Sequence, residues 1–165
     1  MKRSSFLSVL IFLLIGVAGL AADSYGSAGA SKDADITLED MLVYALQDEQ
    51  AARAEYALIM DQYGDIRPFT NIIRSEEQHI RLLEPLFVAH GISAPEDVAA
   101  QRAVLPESLE AAFEIGVEAE IANIAMYEMF LDRDLPQDVR DVFERLKAGS
   151  ENHLRSFENN LRRYR

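Results

Sequence analysis

The chain has 165 residues, 49% of them hydrophobic and 27% charged, with a formal net charge of −12 and no cysteine. That length suffices for one domain with a sizeable single core. The negative charge argues against nucleic acid or an anionic membrane surface as a partner. The missing cysteines exclude disulfides, thiolate zinc sites, iron–sulfur clusters and thiol redox catalysis.

Lys2 and Arg3 precede an apolar stretch over residues 6–20, which ends among the small residues Gly19, Ala21 and Ala22. A basic start, a short apolar run and a small-residue end predict a secretory signal peptide over residues 1–22. An N-terminal anchor is the alternative, for which the run is short. Either reading makes the remainder an exported protein: secreted, periplasmic or membrane-tethered. Without residues 1–22, 14 basic residues face 28 acidic ones and the charge becomes −14. Residues 23–36 are rich in Ser, Gly, Ala and Asp, which predicts a flexible linker.

Residues 37–165 predict an all-α domain of four helices. Thr37 with Asp40 makes a capping box, and Gly64 closes the first helix. Pro68 suits the first turn of a second helix that ends before Gly91, and Pro85 should kink or break its last turns. Residues 92–105 form a connection too long for a simple hairpin. A third helix is expected from about residue 106 to 132, and a fourth from near Asp134, with Pro136 in its first turn, to the C-terminus. Short, long and short connections are the pattern of a four-helix bundle with one long crossover between helices two and three.

Apolar residues in the second helix fall at 69, 72, 73, 80, 83, 86 and 87, one buried stripe at helical period. Glu76 and His79 lie within that stripe, one turn apart. A carboxylate aimed into a helical core is costly unless paired or bound to a metal. Glu-x-x-His on an inward face is one way helical bundles present metal ligands. Glu49 falls in the apolar stripe of the first helix and Glu120 in that of the third, each followed by a tyrosine seven residues on, Tyr56 and Tyr127. His153 lies in the stripe of the fourth. The position three residues before it, which a second Glu-x-x-His would fill with Glu, is Ser150. Glu151 sits about 200° around the helix from His153 and suits pairs with Lys147 and Arg155. Glu118 groups with Glu110 and Glu114 on a solvated face. His90, just before Gly91, suits a helix end rather than a metal. Glu49, Glu76, His79, Glu120 and His153 are therefore the candidate metal ligands.

The motifs Glu49-x-x-Ala52-Arg53-x-x-Tyr56 and Glu76-x-x-His79 resemble the first- and second-helix motifs of rubrerythrins. With residues 116–127 and 150–153 added, the chain from Thr37 onward resembles the ferritin-like superfamily on its rubrerythrin-like side. It looks most like a bacterial and archaeal ferritin-like family, a domain of unknown function. The resemblance implies a di-iron carboxylate bundle and carries Glu49, Glu76, His79, Glu120 and His153 over as ligands. The implied cofactor is iron, as one or two ions, with manganese or zinc as substitutes. The implied chemistry is that of a non-haem iron oxidoreductase, ferroxidase- or peroxidase-like, acting on oxygen or peroxide. No rubredoxin-like cysteine module is present, so an external electron donor would be required. Ser150 departs from the pattern, and three ligand carboxylates against two divalent ions predict a weaker second ion. Non-catalytic metal sequestration or delivery is the alternative, and a metal-free structural bundle a third; a homodimer is compatible with each.

Overall fold

The computed structural model describes residues 24–164, which form six helices and no strand. They are α1 (Gly26–Ala30), α2 (Leu38–Tyr63), α3 (Phe69–Ala89), α4 (Ala99–Arg102), α5 (Leu109–Leu131) and α6 (Gln137–Tyr164). The signal-peptide reading of residues 1–22 lies outside the described residues. Among the described residues, no helix is long and apolar enough to cross a membrane.

The helix ends follow local chemistry. Thr37 and Asp40 cap α2 reciprocally, each side chain accepting from the other's backbone N–H, and Gly64 ends the helix at φ 88°. That positive φ suits glycine, which has no Cβ to clash. Ser108 Oγ accepts from the Ala111 N–H and starts α5. Arg140, on the first turn of α6, donates to the carbonyls of Leu131 (3.0 Å) and Arg133 (2.9 Å) and so seals the α5–α6 turn. The long connection is pinned at three places. Arg53 pairs with Asp97, Ala99 is buried, and Tyr63 donates to the Pro106 carbonyl at 2.9 Å.

Pro85 does not break α3, which continues to Ala89. Pro85 is exposed, so the Arg81 carbonyl it leaves unpaired within the helix is on the solvent side, where water can satisfy it. Part of the stretch before Thr37 packs on α2. Gly26 and Ser27 donate their backbone N–H groups to Gln47 Oε1 (3.1 Å) and Asp48 Oδ1 (2.7 Å) of α2, and Ala30 is fully buried. A Cβ on Gly29 would come within 2.6 Å of the Ser24 carbonyl carbon and 2.8 Å of the Tyr44 ring. The small residues that suggest looseness here let one backbone lie close against a helix.

Among the long helices α2 packs on α3 and α5, and α6 packs on the same two. Two apolar clusters fill the interior. One contains Leu42, Leu46, Leu83, Phe87, Phe130, Phe143 and Leu146, and the other Tyr56, Ile59, Phe69, Phe113 and Phe157. Along α2 and α6 the chain runs from the first cluster to the second, and along α3 and α5 from the second to the first. Neighbouring long helices are therefore antiparallel. Because α3 and α5 run the same way, the chain between them must return the length of the molecule, which explains the long crossover. Each long helix passes from one cluster to the other through a single polar level.

Candidate metal centre

At that level Glu49 of α2, Glu76 and His79 of α3, Glu120 of α5, and Ser150 and His153 of α6 are all buried, none more than 6% exposed. The helical stripes converge as the spacing predicts, and the five candidate ligands meet in two overlapping triads. Glu49, Glu76 and His79 form one, and Glu76, Glu120 and His153 the other. Within each triad the available ligand atoms lie within 4.8 Å of one another. His79 Nδ1 is 2.9 Å from both Glu49 Oε2 and Glu76 Oε2. His153 Nδ1 is 3.0 Å from Glu76 Oε1 and 3.4 Å from Glu120 Oε1. The two oxygens of Glu76 thus serve opposite sides, and the imidazole rings stack with centroids 5.5 Å apart.

The tyrosines bond ligand carboxylates, but crosswise. Tyr56 donates to Glu120 Oε1 (3.2 Å) and Tyr127 to Glu49 Oε1 (2.6 Å), each reaching the glutamate of the other helix. His79 Nε2 lies 3.3 Å from Ser75 Oγ, one turn back on its own helix.

Burial pushes the Glu49 carboxyl up to about 7, the charge of Glu76 adding to the effect, and burial likewise raises Glu120. Burial opposes the charge on Glu76 too, but the imidazoles of His153 and His79 outweigh it and hold that carboxyl below its ordinary value. Burial alone would lower both histidines. Glu49 and Glu76 instead lift His79 to about 10, and Glu120 and Glu76 lift His153 to about 9. Without an ion, protons on the imidazoles supply the positive charge that three carboxylates demand.

A divalent ion fits the same demand. His153 Nδ1 is buried and, despite two carboxylates nearby, has no hydrogen-bond partner in proper geometry. An orphaned nitrogen facing two carboxylate oxygens has the direction of a metal ligand. Carboxylate and imidazole donors together suit iron, manganese or zinc.

The residues set aside in the sequence lie elsewhere. Glu118 is exposed, Glu151 is 3.6 Å from Lys147, and His90 caps α3 and lies 3.0 Å from Asp138. The sequence reading missed Asn123, three residues after Glu120 on the same stripe, and that spacing was its available signal. Asp48 joins the same network. Asp48 Oδ2 accepts from Asn123 Nδ2 at 2.6 Å, and Ser150 Oγ donates to Asn123 Oδ1 at 3.3 Å.

Comparison with known proteins agrees with this architecture. An uncharacterized protein of the archaeon Methanocaldococcus jannaschii, MJ0754, is 25% identical in an alignment of 138 positions that covers 74% of each chain. The crystal structure of that hypothetical protein superposes with a TM-score of 0.68 at 24% identity, over 80% of this chain and 85% of the other, so the two share a fold. The model of the uncharacterized protein domain DUF2202 matches residues 38–164. That span holds all four long helices and every residue of the two triads, and the chain belongs to the DUF2202 family.

Proposed function

We propose that the chain is a ferritin-like four-helix bundle that binds one or two divalent metal ions, iron foremost, through Glu49, Glu76, His79, Glu120 and His153. The observation that carries the reading is the pair of triads sharing Glu76 at the only polar level between two apolar clusters. In this reading Glu76 bridges two positions, Glu49 and His79 complete one, and Glu120 and His153 complete the other. Tyr127 and Tyr56 hold the outer glutamates in place through their hydroxyls, as groups behind metal ligands commonly do. Ferrous iron bound there would supply electrons to oxygen or peroxide, a ferroxidase- or peroxidase-like activity fed by an external donor. Tight packing keeps bulk water from the carboxylates, so they bind a cation rather than remain solvated. The basic and apolar run at residues 1–22 makes an extracytoplasmic location part of the proposal.

Burial of all five ligands also favours a second reading, metal sequestration or delivery without turnover. Metal analysis of protein from its native compartment tests the common ground; one or two ions per chain are expected, and none would sink both readings. Consumption of peroxide by the anaerobically ferrous-loaded protein separates them. An unchanged melting temperature after chelation would favour the metal-free structural bundle instead.

A further inference from the structure

We propose that Asp48 is the missing fourth carboxylate of the centre, a positioning residue that acts on the second ion through Asn123 and Ser150. The assignment rests on the metal-binding reading above. Ser150 occupies the place where a second bridging carboxylate would complete two Glu-x-x-His turns, and it is 1% exposed, so bulk water does not stand in for the lost charge. Its hydroxyl donates instead to Asn123 Oδ1 (3.3 Å). The Asn123 amide nitrogen faces Asp48 Oδ2 (2.6 Å) and, more distantly, Glu49 Oε1 (3.5 Å). A continuous chain of polar contacts therefore runs from the α6 side of the centre to a carboxylate on α2.

The charge count follows from this placement. Glu49, Glu76 and Glu120 bring three negative charges to two divalent ions, and Asp48 makes the set neutral. Inside a core of low dielectric a charge one side chain removed still acts strongly. Asp48 is also fixed from behind. Its Oδ1 accepts from the Ser27 N–H at 2.7 Å, so α1 is part of the arrangement that aims Oδ2 at Asn123. The two neutral side chains transmit position: Asp48 orients Asn123, whose Oδ1 accepts the Ser150 hydrogen bond.

The test is a titration of manganous ion into the full chain, followed by calorimetry and by the magnetic-resonance signal of a coupled manganese pair. The wild type is expected to bind two ions with stepwise constants within about a hundredfold of each other. Asp48→Asn should weaken the second ion by a further 10–100-fold, roughly the effect of removing a group behind a metal ligand, and the first, whose Glu49 meets the same amide at 3.5 Å, by less. The exchange Asp48→Asn with Asn123→Asp keeps both the charge and the amide–carboxylate contact, and should restore the coupled pair. A merely structural role would not produce that selectivity or that rescue. One manganese per wild-type chain, or a gap wider than about a hundredfold, would overturn the assignment while leaving the metal reading intact. So would an Asp48→Asn protein with the wild-type second constant, or an exchange variant as weak as the single one. No manganese bound to the wild type would overturn both. If Asp48→Asn does not fold, Asn123→Ala cuts the same link and should weaken the second ion likewise; an unchanged second constant in that variant would overturn the assignment.

Discussion

Gly149 lies where the ring of His79 meets α6. A Cβ there would stand 2.5 Å from His79 Nε2 and 2.6 Å from Cε1, so the imidazole rests against bare backbone. Ser75 Oγ meets the same nitrogen at 3.3 Å. Together they hold the ring with Nδ1 toward Glu49 and Glu76. Gly149→Ala sets two effects against each other. Alanine favours the helix by about 1 kcal/mol, yet the methyl group displaces a packed ring, and a shifted ligand typically costs metal affinity about tenfold or more. We expect urea stability of the metal-free protein to change little, while calorimetry shows weaker binding of the first ion. Undiminished affinity would mean that His79 does not hold that ion.

At the scale of elements, Pro85 and α1 show where the sequence was a poor guide. Proline was expected to kink or break α3, and the helix runs on to Ala89; on an exposed face its cost is one missing hydrogen bond and a hydrated carbonyl. Pro85→Ala should recover that bond, at the expense of a more flexible unfolded chain. The net gain should be about 2 kcal/mol, read as a higher thermal midpoint. A lower midpoint would mean that the helix needs the proline. In the stretch before Thr37, Ser, Gly and Ala describe a loose tether and a closely docked backbone equally well. Only its hydrogen bonds to Gln47 and Asp48 distinguish the two. By contrast, the level shared by Glu49, Glu76, His79, Glu120 and His153 was legible, because a period of 3.6 residues assigns each of them a face. The part played by Asn123 was not. An amide on a buried stripe acquires meaning only when Asp48 and Ser150 arrive from other helices.

For the whole molecule, pH sets the balance between proton and metal. His79 and His153 titrate near 10 and 9 in the metal-free fold against an ordinary value of about 6.5. A raised value stabilises the fold fully below about pH 6.5, and that contribution is lost as pH climbs through 9 and 10. Glu49, raised to about 7, adds a loss of the same sign at lower pH. Urea midpoints of the metal-free protein should therefore fall from pH 6.5 to 9. Metal should bind more tightly over the same range and, at pH 7, expel about two protons per pair of ions. Calorimetry in buffers of different ionisation enthalpy counts them; a count of zero would show the imidazoles already neutral. The exchanged tyrosine hydroxyls carry a further consequence, for assembly. Tyr56 serves Glu120 and Tyr127 serves Glu49, so neither hairpin, α2–α3 or α5–α6, supplies the tyrosine that bonds its own glutamate. A chain cut at the exposed Val104 would give one fragment with Glu49, Glu76 and His79 and another with Glu120 and His153, each without the tyrosine that bonds its own glutamate. Mixed together, the fragments should recover the second ion, whose triad of Glu76, Glu120 and His153 neither possesses alone, making the centre a reporter of whether two halves of a protein have found each other.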